Sequence, residues 1–178
     1  MKLYHTLLLI LFSHFSFSQQ KENFEVDVIN TFIKHFEQFS NEELTFYNKQ
    51  IAFEKQNEFF TQSNFTNYTS PTLGVDSKKV KRLIKKVDFN YLQSIKNDLN
   101  YWNNSVFKNV IFSSEITLNK KELFQISKPF FSKSNKYAFV YYVKDCGYPD
   151  CNSTSVIIFK RCSKGTWKFY TQMPITIS

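Results

Sequence analysis

The fold class of this chain can be predicted from residues 136–171, KYAFVYYVKDCGYPDCNSTSVIIFKRCSKGTWKFYT. It holds three runs that are rich in aromatic and β-branched residues, and such runs are typical of strands. Gly147 and Pro149 separate the first two runs and Gly165 follows the second, and these residue types favour turns. The stretch therefore predicts three consecutive antiparallel strands, which begin at Tyr137, Thr154 and Thr166.

Two further β-rich runs precede this stretch: VFKNVIF from Val106 and KELFQIS from Lys121. The segment SKSNK, residues 132–136, supplies turn residues before the strand that begins at Tyr137. The C-terminal part of the chain therefore predicts an antiparallel meander sheet of four to five strands.

Helical patterns dominate the N-terminal part of the chain. Apolar residues recur at every third or fourth position from Asn23 to Phe39, which predicts a helix with one apolar stripe. Ser40 and Glu43 have the spacing of a capping box, in which each side chain bonds an unpaired amide of the first turn. This pattern predicts a second, short helix through about Tyr47.

Two more helices are expected after a less regular segment. Residues 52–74 show no clean period and are predicted to be irregular, with at most a short strand at residues 59–60. Asp76 or Ser77 can cap the next helix, and Asp88 can cap the one after it. The first of these helices carries the apolar residues Val80, Leu83, Ile84 and Val87, and the second carries Leu92, Ile95, Leu99 and Trp102.

Helices followed by a meandering sheet are typical of the α+β class. Residues 19–178 have the length of one ordinary domain, since domains cluster at about 100–150 residues. We therefore predict a single α+β domain in which N-terminal helices pack on the C-terminal antiparallel sheet. The strand aromatics Tyr137, Phe139, Tyr141, Trp167 and Phe169 are expected to meet the helical stripe of Phe24, Phe32, Phe36 and Phe39.

The C-terminal half resembles a group of small, uncharacterised secreted bacterial envelope proteins. The likeness rests on VDFNYLQSIKNDLNYWNNSVFKNVIF, ISKPFFSKSNKYAFVYY, the cysteine loop DCGYPDC and KRCSKGTWKFY. In that group a helix ending near a tryptophan leads to a strand, followed by a Pro-Phe-Ser segment, a strand, a Cys-Gly turn and a closing Lys-Gly-Trp hairpin. The resemblance implies an antiparallel C-terminal sheet and implies no activity.

The chain begins with a signal-peptide pattern, MKLYHTLLLILFSHFSFS, residues 1–18. Lys2 precedes an apolar run at residues 7–12, and Ser16 and Ser18 stand where a signal peptidase requires small side chains. We expect cleavage after Ser18 and release into the periplasm or the extracellular space. The apolar run is shorter than the roughly 20 residues that cross a bilayer, so we expect no transmembrane anchor.

The chain has three cysteines. Cys146 and Cys151 flank one predicted hairpin loop, so we interpret them as a structural disulfide in an oxidising compartment. Free thiols, a metal site and redox chemistry are the alternatives. The spacing differs from the Cys-x-x-Cys of redox motifs, and zinc needs four ligands. Cys162 would lie too far along its strand to join the pair, and we interpret it as a small buried residue.

A basic cluster, KKVKRLIKK, occupies residues 78–86 in a chain of net charge +8. On a helix this segment separates into an apolar face and a cationic face. A solvated surface is one interpretation, and an anionic partner such as lipid head groups, lipopolysaccharide or an acidic polymer is the other. No nucleic-acid partner is expected, because no recognition motif is visible. The candidate binding residues are Lys78, Lys79, Lys81, Arg82, Lys85 and Lys86.

The sequence contains no nucleophile elbow, zinc-protease helix or P-loop pattern. We therefore interpret the chain as a non-enzymatic binding or structural module, with no catalytic residue, cofactor or metal predicted. The alternative is an envelope hydrolase or transferase whose site is assembled only in three dimensions. His35 and scattered carboxylates would be the material for such a site.

Overall fold

The computed structural model describes residues 24–39, 44–69, 75–96, 99–102, 107, 110–114, 123–145 and 153–175. Residues 24–37 are helical and form α1, which confirms the first predicted helix. Helices α2 to α5 span Gln56–Phe59, Gln62–Asn67, Ser77–Ile84 and Phe89–Ser94. Strands β1 to β7 span Leu44–Tyr47, Val110–Ser113, Leu123–Ile126, Phe130–Phe131, Tyr137–Asp145, Ser153–Arg161 and Trp167–Pro174.

The strands form one seven-stranded sheet with the order β2-β1-β3-β5-β6-β7. β3 pairs with residues 142–145 of β5, and β4 pairs with residues 138–139, so β3 and β4 lie in line beside the same strand. Ser127 bridges the break between them. Its amide donates to the Tyr141 carbonyl at 2.9 Å, and its Oγ accepts from the Tyr141 amide at 3.1 Å.

The α+β class is confirmed, and the predicted meander holds for β5, β6 and β7, which pair antiparallel in chain order. The sheet is larger than the predicted four to five strands. It is also not a simple meander, because β1 pairs parallel with both β2 and β3 and lies between them. The helices do not form one N-terminal block, since β1 separates α1 from α2 in the chain.

The predicted second helix through Tyr47 is wrong, because Leu44–Tyr47 is the strand β1. Leu44 and Phe46 are buried and alternate with half-buried neighbours, which is the two-residue period of a strand. Ser40 and Glu43, on which the capping box rested, lie outside the described residues. Pairing on both edges of a four-residue segment outweighs a local capping signal.

The predicted strand at residues 59–60 is also wrong. Phe59 ends α2 and Phe60 follows it, and both rings are buried beneath α3 and the sheet. Thr61 caps α3, since its Oγ1 accepts from the Asn64 amide at 3.1 Å. Helices of four and six residues are too short to display an apolar period, so the sequence pattern appeared irregular.

The predicted caps of α4 and α5 are confirmed. The Asp76 carboxylate accepts from the Lys79 amide, and the Asp88 carboxylate accepts from the Tyr91 amide, both at 3.1 Å. α5 ends at Ser94, however, so Leu99 and Trp102 do not lie on it as predicted. Leu99 is 44% exposed, while Trp102 is buried and its amide donates to the Asn48 carbonyl at 2.8 Å.

The sheet is buried on both faces, so the domain has three layers. α1 covers one face and builds the first core with Ala138, Val140, Tyr142, Ile157, Phe159 and Trp167. Helices α2 to α5 cover the other face and build the second core with Tyr137, Phe139, Val156, Ile158 and Met173. Successive residues of β5 therefore point into different cores, which explains why its sequence is apolar without alternation.

Two predictions about the aromatic residues need correction. Tyr137, Phe139 and Tyr141 pack in the second core, not against the stripe of α1. Phe39, which was expected in the core, is 77% exposed. The expected contact of α1 with Trp167 is confirmed, because the Phe24 and Trp167 rings meet edge to face with centroids 6.4 Å apart.

Candidate functional site

The six basic residues predicted as an anionic-surface site lie on α4 and on the two residues that follow it. Val80 and Leu83 of the same helix are fully buried in the second core. The buried residues fix the rotation of the helix, so the charged side chains are left on its outer side. Lys78, Lys81, Arg82, Lys85 and Lys86 are exposed, and Lys79 is partly exposed.

Lys79 is held more firmly than the other cations of α4. Its Nζ lies 3.7 Å from the Asp76 carboxylate, and its carbonyl accepts a hydrogen bond from the Tyr170 hydroxyl at 3.0 Å. The same Nζ lies 5.8 Å from the centroid of the Tyr170 ring. Lys79 thus joins α4 to strand β7.

Tyr170 links the cations of α4 to those of the sheet. Lys160 Nζ lies 5.9 Å from the centroid of the Tyr170 ring, so this ring contacts both Lys79 and Lys160. Burial raises the pKa of Tyr170, and the positive charge of Arg82 acts in the opposite direction. The cationic surface therefore continues from the helix onto β6.

A basic groove lies where the end of α4 meets the β4–β5 and β6–β7 turns. Its volume is about 1070 Å³, and no carboxylate is among the described residues that line it. Four cations line it: Lys86, Lys136, Lys160 and Arg161. Of these four cations only Lys86 was predicted from the sequence, because the other three are separated from it by 50 or more positions along the chain. The adjacent basic residues Lys160 and Arg161, at the end of a strand, were the one sequence feature that could have indicated the groove.

His35 occupies an aromatic stack. Its ring lies parallel to that of Phe169, with centroids 4.3 Å apart and an interplanar angle of 5°, and the edges of Phe36 and Phe39 flank it. Burial lowers the pKa of His35, which favours the neutral ring that this stack accommodates.

Of the described carboxylates, the two nearest in sequence to His35 face a different space. Asp27 and Glu37 line a groove beside Trp167, and His35 is not among the described residues that line it. The contacts of His35 are therefore those of a packed ring, and they do not favour the alternative of an acid-base site.

Cys162 lies in the turn between β6 and β7, is half-buried and is not bridged. It lines the basic groove, so the interpretation as a buried residue holds only in part.

Cys146 and Cys151 lie outside the described residues, and their disulfide stays a prediction. Within the part of the chain that the structure describes, no group of three or more His, Cys, Asp and Glu side chains could hold a metal ion.

Among the helices of the described ranges, none has both the length and the apolar character needed to span a membrane. No family model, no curated protein and no solved structure matches the chain. The arrangement of the site must therefore be interpreted from its own chemistry: an outward cationic helix that continues into a basic groove.

Proposed function

We propose that this protein is a secreted or periplasmic, non-enzymatic module that adheres to anionic envelope surfaces through the cationic face of α4. The observation that carries the proposal is the orientation of α4, whose apolar residues Val80 and Leu83 are fully buried, while five of the six cations on α4 and the two residues after it are exposed. The signal-peptide pattern of residues 1–18 supports the compartment.

The mode of binding follows from the same orientation. A helix that inserts into a bilayer uses its apolar face, and that face of α4 already packs in the second core. Contact with an anionic surface would therefore be electrostatic and would leave the fold unchanged. Such attraction is screened over about 8 Å at physiological ionic strength, so adhesion would be weak and salt-sensitive.

Retention on vesicles tests the proposal. The mature chain is expected to sediment with vesicles that contain phosphatidylglycerol and not with vesicles of phosphatidylcholine alone, and retention should fall steeply as salt rises. A variant with Lys81, Arg82, Lys85 and Lys86 changed to Gln should bind at least about tenfold more weakly, since each cation near an anionic membrane contributes about 1 kcal/mol.

A matched variant removes four positive charges elsewhere. Lys34, Lys49, Lys55 and Lys96 lie outside α4, and their change to Gln alters the net charge equally. This variant should retain most of the binding. Equal losses in the two variants would show that net charge alone is responsible, and no loss in the α4 variant would show that this face is merely solvated.

A further inference from the structure

We infer that the basic groove is a binding site for clustered phosphate groups. This site is distinct from the outward face of α4 and shares only Lys86 with it. A soluble phosphate compound could bind there whether or not α4 adheres to envelope surfaces, so the inference does not depend on the proposed function.

Charge crowding at the groove is the first observation. Lys160 lies directly opposite Lys168 in the ladder of β6 and β7, and like charges in that position destabilise a sheet. Lys160 has no ion pair with a described residue, and its Nζ rests near the Tyr170 ring instead. Lys168 is not among the described residues that line the groove, so an anion bound there would offset the repulsion through Lys160.

The carboxylates near this end of the domain are already paired with other lysines. Asp76 lies 3.7 Å from Lys79 Nζ, and Asp88 lies 3.9 Å from Lys133 Nζ. Neither carboxylate is among the described residues that line the groove. The cations of the groove therefore keep their charge available for a ligand.

Arg161 has no carboxylate partner among the described residues and is held by two other contacts. Its Nε donates to the Gly165 carbonyl at 3.2 Å, and its guanidinium lies over the Phe24 ring, 4.1 Å from the centroid. Gly165 has φ 84°, a left-handed conformation that glycine adopts without strain and that shapes the turn. The guanidinium thus lies on the α1 side of the sheet, whereas Lys160 Nζ lies beside Tyr170 on the α4 side. Arg161 therefore borders the groove from its edge, where its planar fork suits phosphate oxygens.

The size of the groove indicates the class of ligand. Small-molecule sites commonly span about 300–1000 Å³, and this groove, at about 1070 Å³, is slightly larger than that range. Four cations exceed what one phosphate needs, and the hydroxyls of Ser134 and Ser163 add donors at the rim. The groove fits a ligand with several phosphates close together, such as a polyphosphate chain or a phosphorylated head group.

Titration calorimetry with tripolyphosphate on the mature chain tests the inference. We expect saturable binding that weakens at least about tenfold when Lys136, Lys160 and Arg161 are changed to Gln, since each lost charge-assisted hydrogen bond is worth roughly tenfold in affinity. The control changes Lys34, Lys55 and Lys96 to Gln, which removes the same charge outside both the groove and the cationic face of α4. This control should lose less than about threefold.

The melting temperature provides a second test that does not depend on the measured affinity. Lys160→Gln alone should raise the melting temperature without ligand, because it removes the repulsion with Lys168. Tripolyphosphate should raise the melting temperature of the parent and have a smaller effect on this variant. Equal losses of affinity in the two triple variants would overturn the inference.

Parallel titrations distinguish the sources of phosphate. Vesicles of phosphatidic acid represent a lipid head group, and polygalacturonate represents an acidic polymer without phosphate. Binding of tripolyphosphate or of phosphatidic acid that depends on Lys136 and Lys160 supports the inference and names the source. Binding of neither, or equal binding of polygalacturonate, contradicts it.

Discussion

Trp167 shows most clearly, at the scale of single residues, how the aromatic excess is used. It is 5% exposed and packs between Phe24 of α1 and Phe131 of β4. Phe169, two positions further along the same strand, is 40% exposed and stacks on His35. One strand face therefore carries a buried ring and a surface ring.

The prediction at this scale is that Trp167→Ala severely destabilises the domain. Truncation of a buried tryptophan costs about 3–5 kcal/mol because it leaves a cavity, and typical domains have about 5–15 kcal/mol in total. The melting temperature should fall sharply or the transition should be lost. Phe169→Ala is the matched control, and its smaller loss of buried area should change melting much less.

The variant Trp167→Phe keeps an aromatic ring at this position and removes the indole N–H. The indole Nε1 is buried and has no hydrogen-bond partner among the described residues, so its removal costs no hydrogen bond. This variant should melt far closer to the parent than Trp167→Ala does. Melting of Trp167→Ala that matched the parent would contradict the core assignment and would direct attention to the β6–β7 hairpin as a binding surface.

Two glutamines join α2 and α5 at the scale of elements. Gln56 is buried, and its amide donates to the Leu92 carbonyl at 2.7 Å and to the Ile95 carbonyl at 3.0 Å. Gln93 donates in return to the carbonyls of Asn57 and Phe60, both at 2.9 Å. Each side chain thus binds carbonyls of the other short helix and of the residue that follows it.

We predict that Gln56→Met destabilises the domain by about 1–3 kcal/mol, since methionine has a similar volume and cannot pair the buried carbonyls. Urea denaturation measures this change. Gln93→Met is the comparison, and its loss should be smaller because one of its acceptors, the Asn57 carbonyl, lies in a solvent-exposed region. A Gln56→Met variant as stable as the parent would show that packing alone holds these helices.

At the scale of the whole molecule, the three-layer arrangement places the hairpin of β5 and β6 at the centre. Both strands are nine residues long and pair in one unbroken register, whose last described pair is Lys144 opposite Ser153. Each of the predicted disulfide cysteines lies two positions beyond its strand's member of that pair. Continuation of the same register would set Cys146 opposite Cys151.

We therefore predict that the protein carries a Cys146–Cys151 disulfide in an oxidising compartment. Intact-mass spectrometry after alkylation should find one labelled cysteine without reductant and three with it. The same mass tests cleavage after Ser18. Loss of the disulfide should cost only about 2 kcal/mol, because the loop it closes is short.

The variant Cys146→Ser provides the control for this measurement. It should show two labelled cysteines without reductant, since Cys151 would then be free beside Cys162. Three labelled cysteines in the non-reduced parent would contradict the disulfide. That result would not change the fold assigned to the described residues.

Local patterns in the sequence were sufficient for many of the elements. Strands β2, β3, β5, β6 and β7, the apolar stripe of α1 and the caps at Asp76 and Asp88 all follow from neighbouring residues and were predicted. The cationic face of α4 was predicted for the same reason, since residues three and four apart share one side of a helix. Strands β1 and β4 and the short helices α2 and α3 were missed because segments of two to six residues carry too little periodicity.

By itself, then, the sequence determined the α+β class, the main strands and the separation of charge on α4, because these depend on residues close together in the chain. Only the tertiary structure decided that β1 inserts between β2 and β3, that different helices cover the two faces of the sheet, and that Lys86, Lys136, Lys160 and Arg161 line one groove. These features depend on contacts between residues 50 or more positions apart, for which no local pattern exists. Burial of both faces of the sheet selected among the possible arrangements, since it removes the most apolar surface from water.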